Sequence, residues 1–214
     1  MTISIVGSGS TATAVMLNVT VTEATEASYL TVWPGGTTRP YTSNINFAAG
    51  DTVPNVVVVP IGAAGSVDFF NFAGDAHVIV DVLGVFEGGQ LPFLGGRFVT
   101  TTPTRALDTR LGTGGAQKAL TENSNLFFDV RPAGVPSDAT AVVMNVTVAA
   151  PTVGGYLTVW PASGPMPGSS NLNFGAGQVT ANLVVVPLGA DGRVSVYNAF
   201  GSAHVIADVV GYYR

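Results

Sequence analysis

Tyr29-Leu-Thr-Val-Trp-Pro34 occurs twice in this chain, because the same six residues return as Tyr156-Leu-Thr-Val-Trp-Pro161. The repetition extends far to both sides of this stretch. Residues 137–214 align with residues 10–87 at a constant offset of 127 residues (137 minus 10), without insertion or deletion, and 41 of the 78 paired residues are identical. Internal repetition over such a length defines the architectural unit of a protein. The chain is therefore a tandem duplication.

Alternation of apolar and polar residues predicts that each copy is built from β-strands. Runs rich in Val, Thr, Tyr and Phe are separated by Gly, Pro, Asn and Asp, a pattern typical of antiparallel sheets. The predicted strands of the first copy cover residues 12–21, 29–33, 44–47, 55–60, 66–71 and 77–85, and the second copy repeats all six. Gly62-Ala-Ala-Gly65 and Gly189-Ala-Asp-Gly192 supply residues suited to hairpin turns. The predicted fold class is all-β, with two tandem antiparallel β-sandwich modules of Greek-key or jelly-roll type.

The segment between the copies contains more than a linker. Gly88-Gly-Gln-Leu-Pro92 predicts a hinge, residues 97–110 predict an extended strand pair, and residues 125–130 predict a further strand. The predicted domains are residues 1–87 for the first sandwich, 88–95 for the linker and 96–214 for the second sandwich. The first copy has no counterpart of residues 97–110. Either it has an open sheet edge, which can pair with another chain, or the middle segment serves both copies.

The composition favours an extracellular or cell-surface module, or a subunit buried in an assembly. Only 10% of the residues are charged, against about 25% in an average globular protein. The net charge of -5 and a single lysine, Lys118, leave no basic stripe for nucleic acid. The absence of cysteine excludes disulfides and thiolate metal sites. No apolar run reaches the ~18 residues that a membrane span needs, so membrane insertion is not expected.

Several predicted strands are apolar on both faces, as in Leu183-Val-Val-Val186. One sandwich core cannot cover two apolar faces of the same strand. At about 25 cal/mol per Å² of apolar area, several exposed valines would cost several kcal/mol. We expect the excess to be covered by packing between the copies, by irregular segments such as residues 111–122, or by association with other protein subunits or a second copy.

The repeated Tyr-Leu-Thr-Val-Trp-Pro strand is the leading candidate for a binding site. Alternation places Tyr156, Thr158 and Trp160 on one face and Leu157 and Val159 on the other. If the Leu and Val side chains form the core, an aromatic stripe faces outward and is suited to stacking on sugar rings. The alternative is that the aromatic residues cover the sheet or form a contact between the copies. The candidate ligand-binding residues are Tyr29, Trp33, Asn44, Asn46, Tyr156, Trp160, Asn171 and Asn173.

Asparagine recurs within or beside the predicted strands, although it is a poor strand former. The favoured interpretation is that its side-chain amides satisfy backbone groups at bulges and turns. The alternative is a polar ligand surface beside the aromatic stripe.

Each copy has one histidine, four residues before an aspartate on the same strand face: His77 with Asp81, and His204 with Asp208. No nucleophile elbow or comparable element accompanies them, and one His and one carboxylate are too few for a transition-metal site. We therefore predict structural roles, with no catalytic residue, metal or cofactor. A carboxylate in an apolar strand needs a partner, and Asp208 is expected to pair with either Arg105 or Arg110.

Several motifs in order resemble a repeat found in tandem in large secreted or cell-surface proteins of actinobacteria. They are Thr102-Pro-Thr-Arg-Ala-Leu-Asp-Thr-Arg110, Ser170-Asn-Leu-Asn173, Asn182-Leu-Val-Val-Val-Pro187 and His204-Val-Ile-Ala-Asp-Val-Val-Gly-Tyr-Tyr213. The resemblance covers nearly the whole chain, although the first copy lacks the Pro-Thr-Arg segment. It implies an extracellular accessory module. The leading hypothesis from the sequence as a whole is a non-catalytic structural or interaction module that acts as a spacer or adhesive unit. The alternative function is a carbohydrate-binding module that recognises cell-surface polysaccharide through the Tyr/Trp strand.

Overall fold

The computed structural model describes residues 1–7, 10–88 and 96–214. Within these ranges the regular structure consists of β-strands and two 3-10 turns (Ala63–Gly65 and Arg131–Ala133), with no α-helix. The contacts divide the chain into two compact units, Met1–Phe93 (unit 1) and Leu94–Arg214 (unit 2). Of the predicted linker, residues 89–95 lie outside the described residues.

Unit 1 folds into two antiparallel sheets. Its strands are β1 (Thr2–Ser4), β2 (Ala12–Thr22), β3 (Ser28–Pro34), β4 (Ile45–Phe47), β5 (Val53–Pro60), β6 (Ser66–Asn71) and β7 (His77–Glu87). One sheet has the order β1-β6-β3-β4 and the other the order β5-β2-β7. Alternate residues of the central strand β2 are fully buried between the sheets, and so are apolar side chains of the facing strands: Val15, Leu17, Val19, Val21, Leu30 and Val67.

Unit 2 repeats this sandwich with a more complete set of strands. They are β8 (Phe98–Asp108), β9 (Ser124–Asp129), β10 (Ala141–Ala149), β11 (Gly155–Pro161), β12 (Leu172–Phe174), β13 (Thr180–Pro187), β14 (Arg193–Asn198) and β15 (His204–Tyr213). The sheet orders are β12-β11-β14-β9 and β13-β10-β15-β8. The two sheets of each unit share one apolar core. The predicted all-β fold of two tandem antiparallel sandwiches is confirmed.

The strand predictions for the repeated segments agree with the structure to within two residues at each end. The hairpin glycines also behave as expected, since Gly65 and Gly192 adopt φ values of +71° and +64°. Residues with a side chain rarely adopt these values, whereas glycine does so without steric penalty. The two units also share a β-bulge, because the pairing of β2 with β7 skips Leu83 and the pairing of β10 with β15 skips the equivalent Val210. The strands β7 and β15 therefore follow the same irregular path.

The predicted strand pair at residues 97–110 is wrong, because the segment forms one long strand. Strand β8 pairs with β15 along nearly its whole length, with two register shifts. The proline in this strand, Pro103, is compatible with pairing because β8 lies at a sheet edge, where one side of the strand makes no ladder bonds. The middle segment thus completes the second copy.

The two units differ in how far they bury the apolar side chains that one sandwich core cannot cover. In unit 2, Leu107 of β8 and Leu120 of the following irregular segment are buried in the core, as expected for residues 111–122. In unit 1, large apolar side chains of β5 and β7 stay exposed: Val58, Ile79, Val82 and Val85.

Candidate functional site

In both copies of the repeated aromatic strand, the Leu and Val side chains face the core. Leu30 and Val32 of β3 are buried in the core of unit 1, and Leu157 and Val159 of β11 are buried in the core of unit 2. The side chains of the opposite face, which begins at Tyr29, point away from these cores.

This opposite face is nevertheless covered at its centre. The connection between β3 and β4 folds back over it, so that the Thr31 hydroxyl donates to the Thr42 carbonyl at 2.6 Å. The indole N–H of Trp33 donates to the Thr37 carbonyl at 3.1 Å. The equivalent indole N–H of Trp160 donates to the Gly164 carbonyl at the same distance. A continuous outward stripe from tyrosine to tryptophan therefore does not form.

Trp160 departs from the prediction most clearly, because only 7% of its surface is exposed. Its ring cannot stack on a sugar while the β11–β12 connection lies over it. Trp33 is half-buried in the same arrangement. The sequence could not anticipate this, because the covering segment contains no strong pattern of its own.

Replacing Trp160 by Ala is expected to destabilise unit 2 by about 3 kcal/mol, since a large buried ring leaves a cavity. Trp33→Ala is the matched control, and its effect on unit 1 is expected to be smaller because that residue is less deeply buried than Trp160. Urea unfolding of the two variants measures the difference. Equal effects, or an unchanged Trp160→Ala variant, would contradict the buried role.

Asn44 and Asn171 act on the backbone, as the favoured interpretation predicted. The Asn44 Oδ1 accepts the Val32 N–H at 2.7 Å, and the Asn171 Oδ1 accepts the Val159 N–H at the same distance. Each amide bridges the connection to the neighbouring strand, which explains asparagine at a strand margin.

The other two asparagines of the candidate set lie beside the tyrosines. Asn46 of β4 pairs with Tyr29 of β3, and Asn173 of β12 pairs with Tyr156 of β11. Asn46 is exposed, whereas Asn173 is half-buried and its Oδ1 accepts the Ser170 hydroxyl at 3.2 Å. A role for these residues in binding stays a prediction.

The exposed aromatic surface of unit 1 spans two neighbouring strands. We call Tyr29, Phe70 and Phe72 the aromatic patch of unit 1. The Tyr29 and Phe72 rings are stacked with centroids 4.9 Å apart, and the Tyr29 and Phe70 centroids are 6.4 Å apart. The Arg39 guanidinium carbon lies 3.6 Å from the Phe70 centroid, within cation–π range. Phe72 is 63% exposed, so the patch presents ring faces to solvent.

Unit 2 carries a related patch of Tyr156, Tyr197 and Phe200. Tyr156 lies 6.4 Å from Tyr197 and 6.1 Å from Phe200, measured between ring centroids. The Tyr197 hydroxyl donates to the Asn123 Oδ1 at 2.9 Å, which fixes that ring. About half of the Phe200 surface is exposed.

Sequence reasoning missed Phe70, Phe72, Tyr197 and Phe200. The available signal was the alternation of Phe70 and Phe72 with Phe69 and Asn71, which places both rings on one strand face. The alternation could not show that β3 pairs with β6, which sets Thr31 opposite Phe70 and brings the rings of the two strands together.

The charged residues of unit 2 converge where β8 meets β15. Arg105 donates to both carboxylate oxygens of Asp208, at 2.9 and 3.1 Å, and to Asp108 at 2.8 Å. Of the two predicted partners of Asp208, Arg105 is therefore the one that forms the ion pair. Arg110 instead donates to both oxygens of Asp108, at 3.0 and 2.8 Å.

Asp108 is the centre of this cluster and its side chain is fully buried. The side-chain hydrogen bonds from Arg110 are the main reason that its pKa is lowered to about 2, against the opposing effect of burial. Favourable charge from Arg105 adds to this effect. The carboxylate therefore stays ionised and holds two arginines in place.

The two histidines have different surroundings. The His204 Nδ1 lies 3.0 Å from the Thr109 Oγ1, which also accepts the Val205 N–H at 3.0 Å. The equivalent His77 lies 3.5 Å from the Glu23 carboxylate, and both side chains are three-quarters exposed. Such an exposed pair contributes little to stability. Among the described residues, no group of three or more His, Cys, Asp or Glu is placed to hold a metal ion.

Comparisons with known proteins give weak matches. No family model and no curated protein sequence matches the chain. Among solved structures, the chain is similar to a Tobacco streak virus coat protein dimer, with 14% identity over 56% of this chain and 89% of that chain and a TM-score of 0.26. It is also similar to the N-terminal CBM22-1-CBM22-2 tandem domain from Paenibacillus barcinonensis Xyn10C, with 12% identity over 94% of this chain and 79% of that chain and a TM-score of 0.26.

No helix within the described ranges is long and apolar enough to cross a bilayer.

Proposed function

We propose that this chain is a non-catalytic structural and interaction module of a secreted or cell-surface bacterial protein, acting as a spacer or adhesive unit. The observation that carries the proposal is the contrast between its charged and aromatic side chains. The cluster of ionisable groups around Asp108 joins two strands of one sheet through Arg105 and Asp208. The aromatic patches lie on the solvent side of the sheets. The resemblance to repeats of actinobacterial surface proteins belongs to the same proposal.

The internal role of the charges supports a mechanical or scaffolding function. Arg105 bridges Asp108 on its own strand and Asp208 on the neighbouring strand. Bidentate arginine–carboxylate pairs are among the stronger polar contacts in proteins. They stabilise the pairing of β8 with β15.

The aromatic patch of unit 1 supports a role in contacts with other molecules. Aromatic side chains bring large contact areas at a small loss of conformational entropy, and they are enriched in binding hot spots. In this patch Phe72 is largely exposed while stacked on Tyr29. A partner can therefore cover rings that are already fixed in place.

Carbohydrate binding is the second candidate function, and the position of Asn46 favours it. The exposed Asn46 lies opposite Tyr29 in the pairing of β4 with β3. A ring face beside a free amide combines a stacking surface with hydrogen-bond groups, which is the combination that a sugar ring requires. In unit 1 this alternative uses Tyr29, Phe70 and Phe72 in place of the half-buried Trp33.

Adsorption to surface material tests the adhesive function. The purified chain is mixed with insoluble bacterial cell wall and with pure polysaccharides, and the bound fraction is measured after sedimentation. We expect the Tyr29→Ser and Phe72→Ser double variant to lose at least tenfold in bound fraction, because the stacked pair is removed. Tyr41→Ser is the matched control, since Tyr41 is fully exposed and forms no aromatic pair with another described residue.

The outcomes separate the two candidates. Binding to pure polysaccharide that also falls in Asn46→Ala supports the carbohydrate-binding alternative. Binding to protein-containing wall material alone supports an adhesive unit for protein partners. Equal losses in the double variant and in Tyr41→Ser would contradict a specific role for the patch.

A further inference from the structure

The two units differ at one sheet edge. In unit 2, β15 lies between β10 and β8. In unit 1, the equivalent strand β7 pairs with β2 on one side, and no strand of the described residues pairs with its other side. An unpaired edge presents backbone N–H and C=O groups to solvent and can accept a further strand.

The apolar side chains of β7 are arranged for a neighbour that is absent from the described residues of unit 1. Val82 is 53% exposed, whereas the equivalent Val209 of unit 2 is fully buried. Ile79 is 50% exposed, whereas the equivalent Ile206 is 6% exposed. In unit 2 the covering strand places Leu107 in the core. In unit 1 no strand of the described residues lies beside β7 to supply an equivalent side chain.

The polar side chains of β7 point to the same neighbour. Asp81 is equivalent to Asp208, which binds Arg105 of β8 through both of its oxygens. Asp81 is half-buried, yet it makes no ion pair or side-chain hydrogen bond with the described residues. Moreover, β7 contains neither Lys, Arg nor Pro, the residues that commonly protect a free edge.

A glycine shared by β15 and β7 gives independent evidence for a strand beside β7. In unit 2, a Cβ on Gly211 would lie 2.5 Å from the Phe98 ring and 2.7 Å from the Val99 carbonyl oxygen of β8. Glycine is thus required there by the close approach of the neighbouring strand. At the equivalent Gly84 of β7, no atom of the described residues lies within 4 Å of such a Cβ. No described residue therefore fills the space in unit 1 that Phe98 fills in unit 2.

We infer that the free edge of β7 is a docking site for an extended strand of the β8 type, donated by another polypeptide. The pairing of β15 with β8 gives the register. The donor places an arginine opposite Asp81, a leucine opposite Val80 and an aromatic ring over Gly84, as β8 does with Asp208, Ala207 and Gly211. Backbone hydrogen bonds supply affinity in this mode of recognition, while the side-chain pockets supply specificity. This inference stands on the sheet edge alone and does not rest on the proposed adhesive function.

A synthetic peptide of residues 97–122 tests the inference. The labelled peptide is titrated into the full chain, and amide hydrogen exchange locates the bound strand. We expect saturable binding and slower exchange along β7. Arg105→Glu in the peptide is expected to weaken binding at least tenfold, because it removes the charge pair and adds repulsion. The combination of Asp81→Arg in the chain with Arg105→Asp in the peptide is expected to restore it.

A second aspartate serves as the control for the role of Asp81. Asp75→Asn removes an exposed charge just before β7 and is expected to leave peptide binding unchanged. Protection of β15 in place of β7 would mean that the peptide exchanges with β8 of unit 2, and would overturn the inference. Concentration-dependent protection of β7 without peptide, with the protection of β8 unchanged, would overturn it too, because two β7 edges would then pair with each other.

A fusion provides a second measurement where peptide solubility limits the titration. Residues 97–122 are attached ahead of Met1 through a flexible linker, with an Arg105→Glu and Leu107→Asp version as the control. We expect the first fusion to raise the unfolding midpoint of unit 1 and the control to leave it unchanged. Failure of both the peptide and the fusion would refute a β8-type partner.

Discussion

Asp108→Asn is expected to destabilise unit 2 by about 3–5 kcal/mol and to leave unit 1 unchanged. Asp108 is buried while its arginine partners are partly exposed, so the expected loss comes from its hydrogen bonds to charged groups, each of which contributes about 1.5–3 kcal/mol. The fully buried Asp108 carboxylate accepts from Arg105 and Arg110 at 2.8–3.0 Å, and an amide cannot replace two charge-assisted acceptors. Urea-induced unfolding, monitored by hydrogen exchange at amides of each unit, measures the free energy of unfolding of the two units separately.

The control for this substitution is Asp138→Asn in the same unit. Asp138 is exposed, so the expected change is within about 0.5 kcal/mol. Comparable losses in the two variants would show that the loss in Asp108→Asn does not come from the buried cluster.

The same cluster predicts how stability depends on pH. The pKa of Asp108 falls from 3.8 to about 2 in the folded state, chiefly through the side-chain hydrogen bonds from Arg110. A lowered folded-state pKa contributes stability that is complete above the unfolded-state value near 4. This contribution is lost as the pH falls through about 2. Unit 2 is therefore expected to lose stability between about pH 4 and pH 2, and Asp108→Asn is expected to flatten this part of the curve.

Leu107→Ala is the second substitution with a large expected effect, a loss of about 2–5 kcal/mol in unit 2. Leu107 is fully buried in the core and comes from β8. Its truncation leaves a cavity beneath the edge strand, so hydrogen exchange is expected to speed up first along β8 and β15.

Leu111→Ala provides the matched control, because Leu111 lies four residues later and is 67% exposed. Its expected effect is within about 0.5 kcal/mol. A Leu107→Ala variant as stable as this control would mean that β8 contributes little to the core. The inference drawn for the edge of β7 would lose its energetic basis.

The local sequence pattern was sufficient to predict the strands and the roles of several side chains. Alternation along β2 predicted a strand at residues 12–21 because every second side chain enters the core. The amide of Asn44 was predicted to satisfy the backbone because asparagine gains little within a sheet. The need of Asp208 for an arginine followed from its apolar strand, although the choice of Arg105 over Arg110 depended on the register of β8.

Other features could not be predicted from the local sequence pattern, because they depend on contacts between residues that are distant in sequence. The polar Thr-rich segment before Asp108 resembles a turn between two strands, yet pairing with β15 draws it into one strand. Trp160 looks like an outward residue on its own strand, yet the connection after β11 covers it. The aromatic patch of unit 1 joins Tyr29 of β3 to Phe72, which follows β6, and their contact exists only once these strands have paired.

The sequence by itself determined the duplication, the strand content, and the inward side of β3 and β11. Repetition and period-two alternation are local properties, and burial of one strand face follows from them directly. The tertiary structure alone decided that β8 belongs to unit 2, that Trp160 is covered, and that among the described residues β7 pairs with a strand on one side only. Strand pairing joins residues about a hundred positions apart, such as Arg105 and Asp208, and no local pattern specifies which of two nearly identical edges a strand will join.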